Sequence, residues 1–166
     1  MKLAERTDRQ GDGRVRIKDF AVFDGQGNEL EYLATGQEVD FRIYYSSESS
    51  KVQNVSVAIG ITSNSGAFVS MLSNQVAGDT FESIARDGYF TCKIKKLPLM
   101  PGNYTAGLII RSNDVIVDWI QQAVTIVVEP GDFYGTGRMP PPSHSGVLLE
   151  QEWSLNGQEA TPNIRR

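Results

Sequence analysis

Apolar and polar residues alternate along much of the chain between residues 15 and 128. The alternation is clearest in residues 39–46, where every second side chain is apolar, and these are Val39, Phe41, Ile43 and Tyr45. A period of two is typical of a β-strand with one buried face. Similar runs include residues 55–61, 89–94 and 104–111, with clusters of Gly, Asn, Asp, Ser and Pro between them.

This pattern predicts an all-β protein folded as an antiparallel β-sandwich. Strands at near-regular spacing, with turn residues between them, are typical of that class. One short helix is expected over residues 79–86, because Asp79 can cap its beginning and Gly88 follows its end. The pattern leaves the connections open between immunoglobulin-like and jelly-roll topologies.

The local composition divides the chain into five parts. Residues 1–12 are polar and predict a loose N-terminal segment, and residues 13–130 carry the sandwich. The Gly- and Pro-rich stretch 131–145 predicts an extended linker. Residues 146–155 are apolar again and predict a C-terminal strand, followed by a loose tail, 156–166. A strand on such an arm must find a sheet edge, so we expect strand exchange between two copies in a homodimer.

Charge and composition narrow the choice of partners. The net charge of -4 gives no general attraction to nucleic acid or to anionic membranes. With one cysteine, Cys92, no disulfide can form within the chain, and the single histidine, His144, argues against a metal site. The N-terminus lacks the apolar core of a signal peptide, and no apolar run approaches about 20 residues. We therefore expect a cytoplasmic protein.

The sequence carries no recognisable motif for catalysis. The chain has no phosphate-binding Walker loop, no dinucleotide-binding glycine pattern, no zinc-protease motif and no serine nucleophile elbow. The stretch 24–29 weakly resembles a calcium loop, but it lacks the alternating acidic ligands and the distal Glu, which favours a hairpin turn. No pair of carboxylates stands in a context that suggests glycoside hydrolysis. The sequence therefore predicts neither an enzyme nor a cofactor.

Several segments in order carry a family resemblance. They are residues 11–17, the Thr-Gly-Gln turn and strand of 34–43, the Leu-Pro-x-x-Pro-Gly-x-Tyr crossing of 97–105, and the ending 146–153. Together they resemble the C-terminal domain of Wzt-type ATP-binding subunits of O-antigen polysaccharide ABC exporters. The resemblance covers most of residues 11–153.

That resemblance implies a function. In the family this domain is a β-sandwich that binds the O-antigen glycan in the cytoplasm, and its terminal strands exchange in a dimer. It acts with an ATPase domain, absent from this sequence, and with membrane subunits, which implies association with the inner membrane. Two other classes stay open from the residues alone. They are a protein-interaction or adhesion sandwich without a glycan ligand, and a glycan-active enzyme on a jelly roll.

Sugar recognition needs particular side chains. A sugar ring has an apolar face that stacks on aromatic rings, and its hydroxyls exchange hydrogen bonds with polar groups. Trp119 is the main candidate, because a Trp beside an Asp and two Gln is poor patterning for a core. The predicted carbohydrate-binding residues are aromatic or polar and lie on predicted outward faces or strand ends: Trp119, Arg42, Tyr44, Asn74, Arg111, Asp118 and Gln121.

Overall fold

The computed structural model describes residues 2–161 and is almost entirely β-structure. It has one four-residue helix, α1 (Asn74–Ala77), and the strands β1 (Val15–Asp24), β2 (Glu29–Leu30), β3 (Leu33–Ala34), β4 (Val39–Ser47), β5 (Gln53–Ser63), β6 (Phe68–Ser73), β7 (Phe81–Ser83), β8 (Asp87–Ile94), β9 (Gly102–Ser112), β10 (Val115–Glu129), β11 (Ser154–Leu155) and β12 (Gln158–Glu159). The predicted all-β class is confirmed.

The strands form two sheets that pack face to face. Sheet A has the order β2-β1-β4-β8, and sheet B has the order β3-β10-β9-β5-β6, with β7 also paired to β5. All of these pairs are antiparallel except the short pairing of β3 with β10. The arrangement of β1, β4 and β8 against β10, β9, β5 and β6 is that of immunoglobulin-like sandwiches. This order resolves the topology that the sequence pattern left open.

The core lies between the sheets, where the alternating apolar residues meet. In β4 the four predicted core residues are all buried, and each is followed by a less buried one. Tyr45 stacks on Phe90 of the neighbouring strand with ring centroids 4.7 Å apart. The largest completely buried side chains come from both sheets and include Ile17, Phe41, Ile43, Ile59, Leu108, Ile110 and Ile120.

The N-terminal segment, residues 2–12, packs against the sandwich, where the sequence predicted a loose segment. Leu3 is buried in the core, and Gln10 forms a β-bridge with Trp119. Gly11 lies against the backbone of Val117 with φ of 116°, a position and conformation that exclude any side chain. A single apolar residue among polar ones gave no periodic signal, so the pattern did not reveal this packing.

The C-terminal region differs from its prediction. Within residues 146–155 the structure forms one β-bridge, between Val147 and Leu99, and then the small β11–β12 hairpin. Leu148 is buried, and its N–H donates to the carbonyl of Pro98 at 2.7 Å. The crossing it meets carries Pro98 and Pro101, which lack the N–H groups that a longer ladder needs. The end of the predicted tail, beyond residue 161, lies outside the described residues. Met1 also lies outside them.

The helical prediction over residues 79–86 was also wrong. The turn of helix comes earlier, at α1, and residues 81–83 form strand β7 instead. Gly78 ends α1 in the left-handed conformation. The sequence had predicted that Gly88, ten residues later, would follow the end of the helix. No helix within residues 2–161 is long and apolar enough to cross a membrane.

Candidate functional site

The sandwich has two outer faces, and the predicted binding residues are divided between them. Trp119, Arg111 and Gln121 line one depression on the sheet B outer face. Arg42 and Tyr44 lie on the sheet A outer face, on the other side of the molecule. Asn74 and Asp118 lie in neither group and are discussed below. The seven predicted residues therefore do not form one site.

A trough on the sheet B outer face has a floor of small residues. Gly60 of β5 and Gly107 of β9 are direct register partners, and Ala58 pairs with Ile109 beside them. Because the two facing glycines carry no side chains, the sheet surface is depressed there. This depression, the glycine trough, has a volume of about 330 Å³.

The walls of the glycine trough carry rings and hydrogen-bonding groups. Phe68 and Met71 of β6 are 66% and 54% exposed and form one side. Trp119 of β10 is half-buried and lies on the other side, paired in register with Ile109. The polar groups of the lining are Thr62, Thr105, Arg111, Gln121 and Gln122.

An irregularity in β10 places two glutamines beside the trough. The register between β9 and β10 shifts between Ile120 and Val124, and Gln121 and Gln122 are both exposed there. A bulge of this kind re-aims side chains that strict alternation would send to opposite faces. Sequence reasoning named Gln121 but missed Gln122, Phe68 and the glycine pair. Glycines inside strands were the signal that could have identified the floor.

Asp118 was predicted to bind sugar, but the structure buries it. Its side chain is 2% exposed and forms an ion pair with Arg9, which is 6% exposed. The Arg9 Nε donates to Asp118 Oδ1 at 2.9 Å, and the backbone N–H of Ile17 donates to Oδ2 at 2.7 Å. The register of β9 and β10 shifts between Ile116 and Asp118, and the consecutive residues Val117 and Asp118 are both buried. Asp118 is a structural anchor and is closed to a ligand.

Asn74 is likewise occupied by contacts within the chain. Its Oδ1 accepts the N–H of Val57 at 2.7 Å, and its Nδ2 donates to the carbonyl of Asp79 at 3.1 Å. The side chain therefore ties α1 to the edge of β5, and its amide is not free for a sugar. The prediction placed it correctly at the end of β6 but not in a binding face.

The sheet A outer face carries a cluster of rings around one arginine. The guanidinium of Arg42 lies 4.0 Å from the ring centroid of Phe23 and 5.1 Å from that of Tyr89. Tyr44 contacts Tyr89, with centroids 5.4 Å apart. The buried Nε of Arg42 has no hydrogen-bond partner within residues 2–161. These side chains are largely engaged with one another.

A third feature is a groove of about 490 Å³ between the sheets, where β8 and β6 are edge strands. Core residues such as Ile43, Ile59 and Phe90 line it, together with Cys92. Burial, and then the charge of Asp40, raise the pKa of the Cys92 thiol, so it stays protonated at neutral pH. No cluster of metal-binding side chains occurs in the described part of the chain.

The two packed sheets define an immunoglobulin-like β-sandwich domain. Residues 6–139 match the Wzt C-terminal domain family, and the protein belongs to that family. The family is one of non-catalytic C-terminal domains, and membership in it places the chain in the context of an ABC transporter. The resemblance that the sequence segments suggested is confirmed.

The solved structure of a related domain agrees on the fold. The crystal structure of the C-terminal domain of Wzt matches with a TM-score of 0.67 and 18% identity, covering 89% of this chain and 87% of that chain. An immunoglobulin-like protein from Pseudomonas aeruginosa matches at 12% identity, covering 72% of this chain and 100% of its own. Its TM-score is 0.38. No curated protein matches the sequence significantly.

Proposed function

We propose that this domain binds an O-antigen polysaccharide in the glycine trough and so selects it for export by an ABC transporter. One observation carries the proposal. Three residues chosen from the sequence for sugar binding, Trp119, Arg111 and Gln121, line the same depression. Family membership supports the transporter setting.

The trough supplies both kinds of contact that a sugar needs. Trp119 on one side and Phe68 on the other present rings to the apolar face of a pyranose. Thr105, Arg111 and Gln121 offer donors and acceptors for its hydroxyls. A neutral hydrogen bond contributes about 1 kcal/mol net and one to a charged group about 1.5–3 kcal/mol, so a few suffice for specific binding.

The sheet B face is a better candidate than the sheet A face. On sheet A, Arg42 already covers a face of Phe23, and Tyr89 contacts Tyr44. A sugar that stacked on those rings would have to displace the guanidinium. The trough on sheet B is concave. The Phe68 ring lies over Gly60, but a Cβ at Gly107 would meet only backbone atoms among the described residues, at 3.6 Å or more.

Calorimetry with the surface polysaccharide of the source organism tests the proposal. Trp119→Ala should weaken binding by at least tenfold, since it removes the largest apolar contact. Tyr89→Ala is the matched control, because Tyr89 is an aromatic residue 54% exposed on the opposite face. If instead Tyr89→Ala abolishes binding and Trp119→Ala does not, the site lies on sheet A. A folded wild type that binds no glycan would favour a protein-interaction sandwich.

The wider assembly is part of the same proposal. The parent subunit hydrolyses ATP through a separate domain and works in the cytoplasm with the membrane subunits of the exporter. The domain itself forms a homodimer in which the C-terminal arm is exchanged. Exposed apolar side chains in the C-terminal arm, residues 146–155, support the exchange, because Leu149, Trp153 and Leu155 are 68%, 76% and 75% exposed. A dimer in sedimentation experiments that persists after truncation at Pro142 would refute the exchange.

A further inference from the structure

A second cavity begins where the glycine trough ends. It has a volume of about 530 Å³, and the N-terminal segment supplies one of its sides through Arg6, Asp8 and Gln10. Its other side is β10, through Trp119, Gln121 and Gln122, which also line the glycine trough. The two depressions therefore adjoin along these three residues. We call the second one the N-terminal lobe.

The N-terminal segment is fixed firmly enough to serve as a binding wall. The backbones of Gln10 and Trp119 exchange two hydrogen bonds, with N···O distances of 2.9 and 2.8 Å. Arg6 reaches the carbonyls of Gln122 and Ala123 at 3.3 Å. The buried pair of Arg9 with Asp118 anchors the stretch between these contacts. The side chains of the lobe are thus held beside Trp119 before any ligand arrives.

The chemistry of the N-terminal lobe differs from that of the trough. Arg6 and Asp8 form a two-pronged ion pair, with both N···O distances 2.6 Å. The hydrogen bonds from Arg6 hold the pKa of the Asp8 carboxyl below its ordinary value, so it is charged at neutral pH. Gln10 adds an amide to those of Gln121 and Gln122. The lobe suits the hydroxyl-bearing edge of a sugar, whereas the trough suits a ring face.

We infer that the N-terminal segment completes the glycan site and that the ligand crosses Trp119, with successive sugar residues in the trough and in the N-terminal lobe. Each depression falls in the size range of small-ligand pockets, roughly 300–1,000 Å³. The recognised unit is then at least a disaccharide, and Trp119 contacts both of its residues. This inference rests on the proposed function.

The test measures how affinity depends on glycan length, first in the wild type and then in a variant that lacks a side chain of the lobe. Fragments of the source organism's surface polysaccharide, from monosaccharide to several repeats, are titrated by calorimetry. The wild type should gain at least tenfold in affinity between the monosaccharide and the longer fragments. In Gln10→Ala, which removes a side chain that lines the lobe and not the trough, about fivefold of that gain should be lost, as expected for one hydrogen bond, while monosaccharide affinity stays unchanged.

The control is Gln26→Ala, an exposed glutamine in the β1–β2 turn. It should bind every fragment as the wild type does, and all three proteins should melt at the same temperature. If Gln10→Ala binds all fragments normally while Trp119→Ala loses them, the lobe is not used, and the proposed function stands. If the wild type binds no fragment, both the function and this inference are overturned.

Discussion

The two outer faces of this sandwich both carry aromatic rings and an arginine, but their strands pair differently. On the sheet A face, β4 and β8 keep a strict register, and Arg42, Tyr44 and Tyr89 pack against one another. On the sheet B face, two glycines oppose each other and β10 shifts its register twice. The depression on sheet B comes from missing side chains and an irregular strand.

The two faces also differ in how they are attached to the rest of the fold. The rim of the trough depends on a buried ion pair between Arg9 and Asp118. On sheet A the comparable pair of Lys93 with Glu38 is exposed, with side chains 51% and 44% accessible. A buried pair whose partner is removed leaves an uncompensated charge, whereas an exposed pair is solvated by water.

The largest expected effect comes from breaking the buried pair. Asp118→Ala should lower the free energy of unfolding by about 3–5 kcal/mol, because it leaves the Arg9 guanidinium buried without its partner. Urea unfolding followed by circular dichroism measures this loss. Lys93→Ala is the control from sheet A, and its effect should be much smaller. Equal losses in the two variants would mean that the faces are anchored alike.

A smaller effect is expected from filling the trough. Gly107→Val should weaken glycan binding at least tenfold, because the new side chain stands on the floor. Stability should not fall, since a Cβ at Gly107 makes only an ordinary contact, 3.6 Å from the Ile120 carbonyl oxygen, and Val suits a strand. Calorimetry and thermal melting measure the two quantities.

The matched variant on the other face is Thr91→Val, an exposed position of β8. It adds apolar bulk to sheet A and should leave glycan affinity unchanged. Binding that survives Gly107→Val would show that the floor is not in contact with the ligand, and the contrast between the faces would then lose its functional meaning.

The smallest effect is a pH dependence confined to the sheet A side. The backbone N–H of Asn28, and then its side chain, lower the pKa of Asp24 in the β1–β2 turn. Because the folded pKa is depressed, the stabilisation is present above the unfolded value of about 3.9 and is lost as pH falls through the folded pKa.

Unfolding curves between pH 7 and pH 2.5 test this. The wild type should be slightly more stable than Asp24→Asn at pH 5–7, and the two should converge in acid. Glycan affinity at neutral pH should be the same in both proteins. A constant difference at all pH values would show that ionisation of Asp24 contributes nothing.

The sequence was informative where short-range alternation decides the structure. The residues of β4 were assigned to the correct faces, because each depends on its neighbours two positions away. Asp118 was expected on a binding face but is buried, at a register shift between β9 and β10 that no local pattern shows. Its partner, Arg9, lies 109 positions away, and no local pattern connects them. The trough depends on Gly60 meeting Gly107, which is likewise a matter of strand pairing.

The attachment of the N-terminal segment has a mechanical consequence. The backbone of Gln10 is hydrogen-bonded to that of Trp119, and Arg9 forms an ion pair with the residue before it, Asp118. A force applied to residues 9–12 therefore reaches Asp118 and Trp119 through two parallel links, whereas a force applied near Leu3 acts on the core directly. Conversely, a ligand that displaces Trp119 strains both links and moves the segment. The segment and the middle of β10, including Trp119, are therefore expected to move as one unit.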